Sequence, residues 1–176
     1  MAVFKIVNKP YKNPDAVQKT IWYILGGGMQ GKVLFTGGYG VDGTDYERAV
    51  EQFLITKRVY RKENKRQVLH MVVSFDNFCE KKLQTEDLKE LAFKIGELLS
   101  KGAYQVIWAC HVNTENRHIH FIINSVSYLT GMKYRLEPWE VFGLRYAIEV
   151  MIAPKIYTPQ RIMEMCDGFC FRPALG

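Results

Sequence analysis

Three of the four histidines in this 176-residue chain, His111, His118 and His120, fall within ten residues. His118 and His120 are separated by one residue in a β-rich run, so both rings leave the same face of the predicted strand. His111 lies near the end of the preceding β-rich run, and a hairpin would bring it opposite the start of the next strand. Three imidazoles with open coordination positions are what a catalytic metal ion needs. His70, on a separate strand, is not expected to be a ligand.

The residues leave the metal and the nucleophile open. Imidazole favours zinc, copper, nickel or iron over magnesium, and the spacing does not choose among them. A water nucleophile would make a hydrolase, whereas an attacking side chain would give a covalent nicking enzyme or a transferase. No Ser-His-Asp or Cys-His pattern is present, and the chain has ten tyrosines. A tyrosine nucleophile is therefore plausible, but spacing alone does not identify it.

The composition is that of a globular domain with a basic surplus. Hydrophobic residues make up 48% and charged residues 24%, which argues against disorder or a fibre. The net charge of +6 favours a polyanionic partner. One ten-residue segment carries six cations: Lys57, Arg58, Arg61, Lys62, Lys65 and Arg66. Next to a phosphodiester-cleaving site, we expect these residues, with Lys133 and Arg135, to contact DNA phosphates.

The sequence predicts a cytoplasmic protein with reduced cysteines. No apolar run approaches the roughly 18 residues of a membrane span, and the N-terminus lacks the pattern of a secretory signal. The four cysteines are scattered, and thiols stay reduced in that compartment. Cys166 and Cys170 are four residues apart without a second ligand pair nearby, so we do not predict a zinc site there.

Strands and helices alternate along the chain. Strand-like runs cover residues 2–7, 33–41, 67–75, 104–112 and 118–128. Helix-start patterns occur at Asn13-Pro14-Asp15, at the capping box from Thr44 to Glu47, near Thr85 and at Pro138. After Pro154 the chain is expected to be short and irregular.

The two runs on either side of Asn113–Arg117 predict an antiparallel hairpin. This favours an α+β fold, an antiparallel sheet covered by helices, over a doubly wound parallel sheet. We expect one domain over residues 1–153, with residues 154–176 as its short C-terminal extension.

The segment HVNTENRHIHFIINSV at residues 111–126 resembles the histidine motif of the relaxase/mobilization nucleases of plasmids and conjugative transposons. These enzymes belong to the histidine–hydrophobic–histidine endonucleases. Further similar segments follow the family's order: MAVFKI at 1–6 with Tyr23-Ile-Leu, Gly38-Tyr39-Gly40, HMVVSFD at 70–76 and GMKYR at 131–135. The resemblance covers about residues 1–136 and implies a relaxase-like nuclease domain.

The resemblance implies a relaxase that nicks single-stranded DNA at an origin of transfer for conjugative mobilization. In that family a divalent ion, Mg or Mn, polarises the scissile phosphate. A tyrosine near the end of the first helix attacks and keeps the 5′ phosphate, and Tyr23 matches that position. Accessory relaxosome proteins would be further partners.

Two positions depart from the family pattern. The family commonly has aspartate at the position of Asn113, and many members have histidine at the position of Asn116. An aspartate there could orient a histidine or help activate the tyrosine, and Glu115 is the neighbouring carboxylate.

Two other functions fit parts of the pattern. A replication initiator or small transposase nuclease would use a tyrosine on a helix after the motif, here Tyr146. Initiators usually carry a lysine three residues further on, where this chain has Glu149. A metal-free DNA-binding accessory protein would use only the basic segment.

Overall fold

The computed structural model describes residues 2–28 and 31–163. Within them, five strands form one sheet: β1 (Ala2–Ile6), β2 (Val33–Tyr39), β3 (Val68–Phe75), β4 (Val106–His111) and β5 (His118–Asn124). Their order is β1-β3-β5-β4-β2, and each neighbouring pair is antiparallel. The predicted α+β fold with an antiparallel sheet is confirmed.

Helices cover both faces of this sheet. The described residues form α1 (Ala16–Ile24), α2 (Tyr46–Val59), α3 (Asn77–Glu80), α4 (Thr85–Ser100) and α5 (Pro138–Ile156). One core lies between the sheet and α4 and α5, and a smaller core lies between the sheet and α1 and α2. Because the central strands are covered on both sides, all six residues of β4 are buried.

Alternate residues of β4 enter opposite cores. Ile107 and Ala109 pack with α1 and α2, whereas Trp108 packs with α4. A Cβ atom on Gly37 would lie 2.6 Å from the Trp108 ring, and one on Gly96 would lie 2.5 Å from it. The indole therefore requires glycine on both β2 and α4, which sets the spacing of these elements.

The first turns of two helices differ from the prediction. Asp15, not Asn13, is the N-cap of α1, and its side chain makes no capping hydrogen bond. The predicted capping box also fails, because Asp45 is the N-cap of α2 and its Oδ1 accepts a backbone N–H at 2.9 Å. The Thr44 hydroxyl instead donates to Asp42 Oδ1 at 2.7 Å, so Thr44 belongs to a local turn before the helix and does not cap it.

The ends of β5 and α5 also differ. β5 stops at Asn124, whose Oδ1 accepts the backbone N–H of Val126 and turns the chain, so the predicted run to Tyr128 is too long. α5 continues to Ile156 through Pro154, where an irregular segment was expected. A proline so near the end of a helix removes one backbone hydrogen bond without breaking the turns before it.

Two findings concern cysteines and membranes. Cys79 and Cys110 are buried and not in disulfides, whereas Cys166 and Cys170 lie outside the described residues. Among the residues described, no helix combines the length and the apolar character needed to cross a membrane.

Candidate metal centre

The hairpin of β4 and β5 brings the three histidines together. His111 is paired directly with His118, and His120 is two residues further along β5 on the same face. Ile119 points to the opposite face, into the core under α4 and α5. One ring nitrogen from each histidine lies within 4.8 Å of the others, close enough to hold a single ion.

Each histidine uses one ring nitrogen for a hydrogen bond and leaves the other for a ligand. The bonds join His111 Nε2 to Ile24 O at 2.7 Å, His118 Nδ1 to Asn116 O at 3.0 Å and His120 Nδ1 to His70 Nε2 at 2.8 Å. His111 Nδ1 and His120 Nε2 are buried without a partner. Such ring orientation by a second hydrogen bond is typical of metal-binding histidines. The donor set therefore fits a divalent metal ion.

Burial keeps the two inner histidines neutral. It lowers the pKa of His111 to about 4, against the opposing effect of the bond to Ile24 O. It also lowers the pKa of His120 to about 2, with smaller contributions from the neighbouring imidazoles and Lys32. A metal ligand must carry a free lone pair, so both rings are in the binding form at neutral pH.

Tyr23 lies directly over the histidines, next to the last residue of α1. Its ring centroid is 5.6 Å from that of His120 and 6.0 Å from that of His111. The side chain is about half exposed, so DNA can reach it. The structure thus brings the predicted nucleophile to the predicted ligands.

Lys32 is a site residue that the sequence did not reveal. Its Nζ donates to Tyr23 O at 3.0 Å and lies 4.0 Å from the centroid of the Tyr23 ring. The carbonyls of the last helical turn have no partner within the helix. Lys32 and His111 bind the carbonyls of Tyr23 and Ile24 respectively, so two site residues fix the end of α1. No motif in the sequence marks Lys32, because its position depends on how β2 begins beside α1.

His70 is on β3 and lies behind His120, outside the group of three. Its Nδ1 is 2.8 Å from the Tyr11 hydroxyl oxygen. The sequence placed His70 on a separate strand, but that strand is the hydrogen-bonded neighbour of β5.

The fold and site can be compared with known proteins. The family model described as relaxase, MobA/VirD2-like, nuclease domain matches residues 23–151. The chain belongs to this relaxase family. No curated protein matches it. A solved chain from work on vancomycin resistance transfer in Staphylococcus aureus aligns with a TM-score of 0.64 at 13% identity, over 98% of this chain and 96% of that one. That likeness supports the fold alone.

Membership makes this chain a relaxase nuclease domain that acts on DNA. The family match extends to residue 151, beyond residue 136 where the recognisable motifs end. Most of α5 is therefore part of the relaxase domain. Tyr146 is exposed on that helix, which packs on the sheet face opposite the three histidines. The structure does not bring Tyr146 to the metal centre.

Lys57 is not a phosphate contact in this relaxase fold, which corrects the prediction. Its side chain is completely buried, and Nζ donates to Gln67 O at 2.6 Å, Asn124 Oδ1 at 2.7 Å and Ser125 Oγ at 3.1 Å. Lys57 is buried because its position on α2 faces the sheet, whereas the charge pattern predicted a surface residue.

The other predicted DNA contacts lie at the far end of β5. Lys62 donates to Gly131 O in the turn after β5. Lys133 donates in the opposite direction, to backbone carbonyls of residues 62, 64 and 66, so the two side chains join that turn to the segment after α2. The remaining cations are exposed: Arg58, Arg61, Lys65, Arg66 and Arg135. β5 ends at Asn124, four positions after His120, which is about 13 Å along the strand. A bound strand would have to extend that far to contact both regions.

Proposed function

We propose that this relaxase domain nicks single-stranded DNA at an origin of transfer by tyrosine transesterification, as a step of conjugative mobilization. The observation that carries the proposal is the position of Tyr23 over three histidines, two of which have an unpartnered buried nitrogen. Single-stranded DNA is the proposed substrate, and relaxosome proteins are the proposed further partners.

In the proposed reaction the Tyr23 hydroxyl oxygen forms a bond to the scissile phosphorus. The bond from phosphorus to the 3′ oxygen breaks, the phenol loses its proton, and the 3′ oxygen gains one. The product is a 5′-phosphotyrosyl adduct and a free 3′ hydroxyl. A divalent ion, Mg or Mn by family resemblance, would supply Lewis-acid polarisation of the phosphate when bound by His111, His118 and His120.

The other site residues hold the reacting groups in place. Correct placement of a nucleophile can lower a barrier by several kcal/mol. His111 and Lys32 both bind carbonyls at the end of α1, so they fix the backbone that carries Tyr23. The Lys32 ammonium also lies 4.0 Å from the centroid of the Tyr23 ring, so it packs against the side chain that carries the nucleophile.

The test is covalent-adduct formation on single-stranded oligonucleotides from a candidate origin of transfer. Tyr23→Phe should bind metal and DNA normally and form no adduct, because it removes only the hydroxyl. Tyr146→Phe is the matched control, since it removes a hydroxyl from an exposed ring on the other sheet face, and it should react like the wild type. An adduct that depends on Tyr146 would replace this proposal with the initiator mechanism. If the protein binds DNA but does not cleave it with any divalent metal ion tested, the alternative function, a metal-free DNA-binding accessory protein, would be supported.

A further inference from the structure

A chain of two hydrogen bonds runs from His120 away from the proposed metal centre. His120 pairs with Val72, so His70 lies two residues along β3 from that pair and on the same face. His120 Nδ1 and His70 Nε2 are 2.8 Å apart, and His70 Nδ1 is 2.8 Å from the Tyr11 hydroxyl oxygen. His70 is only 5% exposed, and its bond to His120 is buried away from water.

The directions of the protons follow from the role of His120. A neutral imidazole carries one proton, and a metal-binding nitrogen must have none. If Nε2 of His120 faces the ion, its proton is on Nδ1 and is donated to His70 Nε2. The proton of His70 is then on Nδ1, which donates it to Tyr11. His120, His70 and Tyr11 are then joined by two hydrogen bonds, and in both of them the donor is the residue nearer the metal centre.

We propose that His70 and Tyr11 are positioning residues that hold His120 in the Nδ1-protonated form, with its Nε2 lone pair directed at the metal. Metal-bound histidines are commonly oriented by a carboxylate, a backbone carbonyl or water. Here the acceptor is a second neutral imidazole backed by a phenol. This inference rests on the proposed metal centre and adds to it the residues behind His120 that orient this ligand.

A neutral acceptor has a chemical consequence. A carboxylate in this position would place a negative charge next to the ligand and raise its basicity. The His70–Tyr11 pair fixes the ring without adding that charge, so the bound ion keeps more of its positive charge for the phosphate. The arrangement also supplies orientation from β3 in a chain that has Asn113 where the family commonly has aspartate.

The alternative is that His70 and Tyr11 only fill space between α1 and the sheet. The two possibilities differ in the tautomer of His120, which packing alone would not control. Long-range nitrogen–proton NMR of the metal-free protein reports which ring nitrogen carries the proton. In water a neutral imidazole favours the Nε2-protonated form, so an enforced Nδ1 proton is a clear signature.

Two substitutions of His70 separate these roles. His70→Gln can place an amide oxygen near the former Nε2 and still accept from His120, whereas His70→Phe keeps a ring and removes the acceptor. We expect the Nδ1-protonated His120 in the wild type and in His70→Gln, and a shift to the Nε2-protonated form in His70→Phe. Calorimetry with Mn²⁺ should show affinity reduced about 10–100-fold in His70→Phe and nearly retained in His70→Gln.

Tyr11→Phe is the milder variant if His70→Phe does not fold. It removes the acceptor of the His70 Nδ1 proton, so the tautomers of both histidines should become mixed. Unchanged tautomers and unchanged Mn²⁺ affinity in Tyr11→Phe, or in a folded His70→Phe, would overturn the inference. Failure of the wild type to bind any divalent ion would refute the metal centre itself. The tautomer measurement on metal-free protein would then still decide whether the chain of hydrogen bonds orients His120.

Discussion

Lys57→Met should destabilise the fold and leave DNA binding unchanged. The same substitution at a surface lysine that contacts DNA would weaken DNA binding and leave the fold stable. Methionine keeps an unbranched apolar stem and removes the ammonium. A hydrogen bond from a charged donor stabilises a protein by about 1.5–3 kcal/mol, and an acceptor that is left buried without a partner adds a desolvation penalty. The structure shows how much of that cost applies here.

Each acceptor of Lys57 keeps a second donor. Gln67 O also accepts from Ser125 N at 3.2 Å, and Asn124 Oδ1 also accepts from Val126 N at 3.2 Å. Ser125 Oγ retains Lys133 Nζ at 3.3 Å. Because none is left without a partner, no desolvation penalty is added, and we expect Lys57→Met to lower the free energy of unfolding by about 2–3 kcal/mol at pH 7.

The loss should grow with pH. Burial, with a smaller contribution from Lys133, lowers the pKa of Lys57 from 10.5 to about 7. Between these values the unfolded chain binds the proton and the folded chain releases it, so wild-type stability rises with pH. From pH 7 to 8.5 that gain is about 1–2 kcal/mol, and Lys57→Met lacks it. Burial raises the pKa of Cys110 to about 12, which has the opposite effect above about pH 9, so the comparison stops at pH 8.5.

Urea unfolding at both pH values measures these stabilities, and Arg61→Gln is the matched surface control. That variant should stay within about 0.5 kcal/mol of the wild type. In salt titrations of single-stranded DNA binding, Arg61→Gln should reduce the log–log slope by about 0.7, and Lys57→Met should not. If Lys57→Met reduced the salt slope and left the free energy of unfolding unchanged, Lys57 would contact phosphate and would not be held in the buried hydrogen bonds described above.

Three further predictions follow from the site. Lys32→Met should slow single-turnover cleavage roughly 5–30-fold, equivalent to about 1–2 kcal/mol, because the cation next to Tyr23 is lost, and unchanged kinetics would contradict its role. His118→Ala should abolish the rise in melting temperature with Mn²⁺, which at 100 times the Kd corresponds to about 2.7 kcal/mol in the wild type; an undiminished rise would place the ion elsewhere. Neutralising Lys65 and Arg66 together should lower the salt slope by about 1.4 without changing cleavage at saturating DNA, and an intact slope would make them a solvated surface.

The sequence by itself determined the elements and the local part of the site. Two β-rich runs separated by the polar segment Asn113–Arg117 predicted a hairpin. The period of two in a strand places His118 and His120 on one face whatever the rest of the fold does. His111 follows from the same hairpin, since pairing across a short connection is local in the chain. The resemblance of the histidine motif identified the family, because the spacing of these histidines lies within one segment of the chain. Helix caps were less certain, since neighbouring side chains such as Thr44 and Asp45 compete for the same N–H groups.

Only the tertiary structure decided which distant residues support that site. Lys32 and His70 lie far from the histidine motif in sequence and reach it through the β2–β4 and β3–β5 pairings. Lys57 looked like its charged neighbours, yet its position on α2 faces Asn124 and is buried. A charge pattern records which residues are cations, whereas burial depends on which helix face meets the sheet. That choice is made by long-range packing and has no local signature.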